Sequence, residues 1–208
     1  MFFVLRHGQT DWNAQLRLQG STDIPLNDNG RLQARTAARF LKDQSIDRII
    51  ASPLSRAHET ASIVAETLGL PVEVDPRIIE RSFGVFEGLT LEEVVTHRAE
   101  MAIHMRPEAD LDGKHYPTDA ETLSQVIDRV SEAVNEHRSG GEACLFVSHG
   151  IPFRAIARVF LGEMYSSPNA APVRYDQTGS AWHMTGLDPE NLPIHSSAYD
   201  GPTTMGRI

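Results

Sequence analysis

Hydrophobic positions along the chain follow two regimes. Short runs that are almost wholly apolar occur at 2–5 (Phe-Phe-Val-Leu), 48–51 (Arg-Ile-Ile-Ala) and 143–147 (Ala-Cys-Leu-Phe-Val). This is the pattern of strands covered by helices on both faces, and each run is followed by a small polar cluster. Between them, apolar residues recur with a helical period. Leu32, Thr36, Ala37, Phe40 and Leu41 form one such set, and Ala57, Ala61, Val64, Ala65 and Leu68 the next, which stops at Gly69 with Pro71 beyond. The clearest stripe lies in 121–138, where Leu123, Val126, Ile127, Val130, Ala133 and Val134 share a face and Gly140-Gly141 ends the helix just before the 143–147 strand.

Thr90 followed by Glu93 is a capping-box pattern that opens a helix over about 90–104, and 106–120, rich in Pro, Asp and Gly, reads as a loop. Together they are expected to form a partial lid over 90–120. Segments 173–176 and 181–185 read as two further strands, whereas 187–208 has no period and is expected to wrap the surface. No internal repeat, low-complexity tract or linker interrupts the pattern. The expected architecture is a single α/β domain over 1–208, a three-layer α/β/α sandwich around a mostly parallel central sheet. Its polar clusters would lie at the carboxyl ends of strands, where such sheets bind ligands.

Composition fits that reading, with 40% of the 208 residues hydrophobic and 23% charged. No stretch approaches the ~20 apolar residues of a membrane span. The opening Met-Phe-Phe-Val-Leu-Arg-His lacks the order of a signal peptide, so a cytoplasmic location is expected. The single cysteine, Cys144, lies in an apolar run and reads as a buried small hydrophobe. A formal charge of −9 argues against nucleic acid as a partner. It leaves small phosphates open, because arginines converging in one pocket bind them whatever the net charge.

Four clusters carry candidate chemistry. Arg6-His7-Gly8-Gln9-Thr10 follows the first strand, and a neutral imidazole at His7 is able to attack phosphorus. Taken alone, a strand-end histidine bonded to a backbone carbonyl is the plainer reading. Ser52-Pro53-Leu54-Ser55-Arg56-Ala57 leaves the second strand and sets Arg56 at a helix N-terminus, which itself attracts anions. Pairing of Arg56 with Glu59 is the plainer alternative. Ser148-His149-Gly150 repeats the first design, with Pro152 suited to a helix start. The last cluster, Glu80 to Gly88, offers Glu80 or Glu87 as a proton donor to a leaving oxygen, although a solvated loop carboxylate is the better reading of Glu87. Phosphoryl transfer needs a nucleophile, donors for the equatorial oxygens and a proton for the leaving group. His7, then Arg6, Arg56 and His149, then Glu80 supply these roles, and no Walker loop, dinucleotide fingerprint or serine elbow competes.

Leu5-Arg6-His7-Gly8-Gln9-Thr10, Asn13, Gln19-Gly20, Asp23-Ile24-Pro25-Leu26 and Gly30 resemble the opening of the histidine phosphatase superfamily, also called the phosphoglycerate mutase-like family. The likeness continues through Ser52 to Ala57 with Glu59-Thr60-Ala61, through Glu80, Gly84 and Glu87-Gly88, and to Ser148-His149-Gly150. It implies that His7 becomes phosphorylated, that Arg6, Arg56 and His149 hold the phosphoryl group, and that Glu80 is proton donor and then base. It further implies that Asn13, Gly20 and Gly150 line the phosphate pocket, that the sheet has about six strands, and that neither metal nor cofactor takes part. Leu89-Thr90-Leu91-Glu92-Glu93 looks like the phosphatase pattern. Mutases of this family carry an insertion with a lysine and paired arginines there, a role left to Arg98 and Arg106 in this chain. Ala120-Glu121-Thr122 departs from the Gly-Glu-Ser common among relatives.

The expected activity is therefore metal-independent hydrolysis of a small phosphomonoester. A phosphoglycerate mutase-type isomerase is the alternative, and a catalytically silent phosphate-binding domain the third reading. The expected partner is a small phosphorylated metabolite, with no membrane or nucleic acid, and a homodimer is compatible with the sequence. His97, His104 and His115 near Asp110 and Asp112 fit no standard ligand spacing, and His58, His137, His183 and His195 show no partner in sequence. Phe83, Phe86, Met101, Met105 and Phe153 are candidates for bordering the substrate, core placement being the commoner fate of such residues. Specificity is expected to reside in loops at about 83–120 and 151–154.

Overall fold

The computed structural model describes residues 1–90, 92–94 and 119–195. The apolar runs become the centre of a six-stranded sheet. Strands β1 (Phe2–Arg6), β2 (Arg48–Ala51), β3 (Val72–Val74) and β4 (Cys144–Ser148) are parallel, and β6 (Pro172–Thr178) and β7 (Ala181–Gly186) complete it antiparallel, in the order β3-β2-β4-β1-β6-β7. A separate two-stranded ladder pairs β5 (Tyr165–Ser166) with β8 (Ile194–His195), so the start of the segment expected to be aperiodic is tied to the fold.

Side-chain alternation assigns the two faces of the sheet. Phe2, Val4, Ile50, Cys144 and Phe146 join one core with helices α4 (Leu123–Arg138) and α5 (Gly150–Leu161). Phe3, Leu5, Ile49, Ala51, Leu145 and Val147 join the other with α2 (Asp28–Leu41) and α3 (Ser55–Leu68). The central strands are buried on both sides, which is why they read as continuous apolar runs. A short α1 (Asp11–Ala14) precedes α2 and is closed by a reciprocal Thr10–Asn13 cap.

The helices begin and end where local chemistry stops them. Asn27 accepts the Gly30 N–H to start α2, Thr122 and Gln125 form a capping box at α4, and left-handed Gly69 and Gly162 terminate α3 and α5. The Thr90–Glu93 capping box forms as its pattern predicts and opens a helical turn at 92–94. The rest of that helix, most of the expected lid, and Arg98, Arg106, His97, His104, His115, Asp110, Asp112, Met101 and Met105 lie outside the described residues. The expected loop at 151–154 is instead the first turn of α5, with Phe153 fully buried in the core. Phe83 and Phe86 are also core residues.

One backbone contact fixes α2 against the first polar cluster. A Cβ built on Gly30 would overlap the Gln9 carbonyl, and one on Gly8 would overlap the Gly30 carbonyl. Both obstacles are main chain, so neither can swing aside. Gly30→Ala is expected to destabilise the protein by about 1–3 kcal/mol, read as a lower urea midpoint with unchanged m-value. An unshifted midpoint would show that the helix can retreat at no cost.

Candidate active site

Parallel register brings the polar clusters together. Arg6 stands opposite Ser148 and Ala51 opposite Val147. The ladder continues one step further, through His7 N–H to Ser148 O at 2.9 Å and Ser52 N–H to Val147 O at 3.0 Å. His7, His149 and Ser52 thus leave the sheet side by side, with the two imidazole centroids 5.1 Å apart.

His7 is 1% exposed, and its Nδ1 lies 2.7 Å from the Gly8 carbonyl oxygen. A carbonyl only accepts, so Nδ1 carries the proton and the Nε2 lone pair is left for chemistry. Burial, then the charges of Arg56 and Arg6, push the His7 pKa well below the ordinary histidine value, which keeps the ring neutral. The same causes, burial first and then Arg56, depress His149.

The tautomer of His149 follows from counting donors. Its Nε2 sits 2.7 Å from Ser52 Oγ, which also accepts the Leu54 N–H at 3.4 Å. Ser52 is fully buried, and among the described residues its hydroxyl proton has an acceptor only in His149 Nε2. His149 then carries its proton on Nδ1, which is buried and has no hydrogen-bond partner among the described residues. A buried N–H donor beside His7 is suited to an oxyanion.

The arginines are held by main-chain carbonyls. Arg6 donates from Nη1 to Ser167 O at 2.8 Å. Arg56, in the first turn of α3 and fully buried, donates from Nη1 to Thr22 O at 2.9 Å and from Nη2 to Gly20 O at 2.7 Å. The expected alternative pairing with Glu59 does not form, because Glu59 accepts from Arg31 Nε at 2.6 Å. Arg56 Nε is buried without a partner among the described residues. Burial lowers the Arg56 pKa, and Glu80, Asp23 and Glu87 act against that shift.

Glu80 reaches the same place from the loop after the 3₁₀ turn Pro76–Ile78. Its carboxyl accepts the N–H groups of Gly150 at 3.0 Å, Ile151 at 3.2 Å and Arg81 at 2.8 Å, so it sits on the N-terminus of α5. A Cβ added at Gly150 would lie 3.7 Å from Glu80 Oε2 and 3.8 Å from Arg6 Cζ, so carboxyl and guanidinium both lie close to that glycine. Arg129 anchors the Glu80 loop to α4 by donating to the carbonyls of Arg77 at 2.6 Å and Ile79 at 2.8 Å while paired with Glu121.

Asn13 enters through its neighbours. Its Oδ1 accepts from Thr10 N at 3.1 Å and faces Asn169 Nδ2 at 3.4 Å, which leaves its amide hydrogens as the outward end. Asn169 also donates to His7 O at 3.0 Å, and Ala170, at φ 52°, donates its N–H to Arg6 O. The 167–170 segment carries no sign of this role in the sequence, where Ser166-Ser167-Pro168-Asn169 marks only a turn. Contrary to the sequence expectation, Glu87 is no solvated loop carboxylate, since it accepts N–H bonds from Ser21 at 2.9 Å, Thr22 at 2.9 Å and Phe83 at 3.1 Å. His137 also has a partner, Asp75, at 3.0 Å, and His195 pairs with Glu163.

Fold and site together define an α/β protein of the phosphoglycerate mutase-like kind. The chain belongs to the histidine phosphatase superfamily (branch 1), whose profile matches residues 2–185. It is 33% identical over 192 residues to a "Probable phosphoglycerate mutase GpmB" of Serratia proteamaculans, covering 88% of each chain. It is 36% identical over 159 residues to an "Uncharacterized phosphatase PhoE" of Bacillus subtilis, covering 74% of this chain and 73% of that one. Among solved structures, a mycobacterial glucosyl-3-phosphoglycerate phosphatase complexed with VO3 superposes with a TM-score of 0.79 at 28% identity, over 89% of this chain and 96% of that one. Bacillus stearothermophilus YhfR gives 0.77 at 27%, over 89% and 95%. Among the described residues, no helix is long and apolar enough to cross a membrane.

Two outcomes follow from the site. His7 and His149 bind fewer protons folded than unfolded, so their contribution to stability is complete above the ordinary value of 6.5 and is lost as pH falls below it. The melting temperature is expected to drop between pH 6.5 and 5, with a shallower slope in His7→Gln; an unchanged slope would assign the proton uptake elsewhere. Ser52→Ala removes the group that fixes the His149 tautomer and is expected to weaken inorganic phosphate binding on the order of tenfold, measured by calorimetry.

Proposed function

We propose that this chain is a metal-independent phosphatase that hydrolyses a small phosphomonoester through a phosphohistidine on His7. The observation that carries the reading is the His7 tautomer: Nδ1 is tied to the Gly8 carbonyl, so a neutral ring offers Nε2 beside two buried arginines. In the first step Nε2 attacks phosphorus and the bond to the alcohol oxygen breaks, while Glu80 gives that oxygen its proton. In the second step water gives a proton to Glu80 and its oxygen attacks phosphorus. The N–P bond then breaks, releasing inorganic phosphate and restoring His7.

Arg6, Arg56 and His149 Nδ1–H supply donors for the equatorial oxygens, where charge must be stabilised in the transition state. Asn13 contributes its amide hydrogens. Gly20 contributes the carbonyl that orients Arg56, and Gly150 an N–H that holds Glu80. These donors do for a phosphoryl group what a metal ion does elsewhere. The likeness to proteins described as phosphatases supports hydrolysis. The likeness to GpmB supports a second reading, in which the phosphoryl group returns to a sugar acid rather than to water.

Release of phosphate from p-nitrophenyl phosphate in excess chelator tests the proposal. Wild type is expected to turn over, and His7→Ala to lose more than about 10³-fold in kcat/KM. Unchanged turnover in His7→Ala would overturn the mechanism. No release by folded wild type, together with interconversion of 2- and 3-phosphoglycerate, would replace the phosphatase by the mutase.

A further inference from the structure

Arg56 is buried with two of its nitrogens committed to main-chain carbonyls, Thr22 O and Gly20 O. A guanidinium is planar and rigid, so the positions of two acceptors fix the directions of its remaining hydrogens. Those acceptors belong to residues 20–22, a segment outside the regular helices and strands. Something else must hold it.

Glu87 does so. Its Oε1 accepts the Ser21 N–H at 2.9 Å and the Ser21 hydroxyl at 3.0 Å, and its Oε2 accepts the Thr22 N–H at 2.9 Å and the Thr22 hydroxyl. The Phe83 N–H, from the loop that carries Glu80, reaches Oε1 at 3.1 Å. Gly20 has φ 55°, and a Cβ on it would overlap Glu87 Oε1, so the carboxylate fills the space that the glycine leaves. Burial opposes its ionisation, but bonds from the Thr22 hydroxyl and the Ser21 and Phe83 N–H groups outweigh it and hold the carboxyl below the usual range.

We infer that Glu87 is a positioning residue for phosphoryl binding: it fixes the Gly20 and Thr22 carbonyls that clamp two arms of Arg56, leaving Nε–H and the spare Nη hydrogens for the phosphoryl oxygens. A peptide shift that turned either carbonyl would let Arg56 rotate, and Nε, which has no partner among the described residues, is the donor that this would misplace. The inference rests on the reading of Arg56 as a phosphoryl donor.

A double-mutant cycle on inorganic phosphate affinity tests it without requiring turnover. Glu87→Ala is expected to weaken binding by about tenfold or more. Glu87→Gln, whose amide nitrogen would oppose one set of N–H donors, is expected to fall between it and wild type. In the Arg56→Ala background both changes are expected to have no further effect, because the group they act through is gone. A role in stability alone would lower the melting temperature but leave affinity unchanged, or would add its full effect in both backgrounds, and either result overturns the inference. If Glu87→Ala does not fold, the same cycle run with Glu87→Gln decides. Absence of turnover in wild type that binds phosphate normally would sink the proposed hydrolysis and leave the Glu87 cycle readable.

Discussion

The parallel pairing of β1 with β4 is the interaction on which the site depends. With Arg6 opposite Ser148, the two strands end at the same level and His7 and His149 emerge as neighbours. Strand periodicity makes this an all-or-none condition. A slip of one residue would turn Phe2 and Val4 toward the opposite helical layer and move Arg6 and His7 with them. Two separate cores, one on each face, resist that slip. Packing far from the chemistry therefore sets the geometry of the chemistry.

Burying this much cationic and imidazole chemistry is unfavourable in itself. Arg56 is fully buried, Arg6 and Arg81 nearly so, and both histidines are held neutral. The fold offsets the cost with carbonyls at Ser167, Gly20 and Thr22 and with Glu80 at the head of α5. Compensation is incomplete, because Arg56 Nε and His149 Nδ1 are buried without partners among the described residues. Unmet donors concentrated at one point favour a polyanionic ligand there, since its oxygens satisfy them without any reorganisation of the protein.

The position of the carboxylates separates two tasks. Glu80 lies close to Gly150, as does Arg6. Glu87 lies one layer behind and ties the Gly20–Thr22 segment to the Glu80 loop. The eight residues from Glu80 to Glu87 thus place one carboxyl at the head of α5 beside Arg6 and another against the segment that holds Arg56. Likeness to proteins described both as mutases and as phosphatases fits this division, because in the proposed reading the shared parts hold the phosphoryl group and say little about the acceptor.

The sequence by itself determined the central strands, the long helices and the family. Strands buried on both faces must be apolar throughout, amphipathic helices must repeat with their turn, and glycines mark the ends, so these signals lie within a few residues of one another. The ordered blocks around His7, Arg56, Glu80 and His149 were legible for the same reason. Tertiary structure alone decided what joins residues distant in the chain. Strand β3 is three residues long with a glutamate at its centre, and β5 and β8 have two each, too short for any period. Nothing near Glu59 tells it to choose Arg31 over Arg56, nothing near Asn169 points to His7, and nothing near Glu87 points to Ser21 and Thr22. A hydrogen bond is a local force between groups that the fold has already brought together, so its partners leave no periodic trace in the sequence.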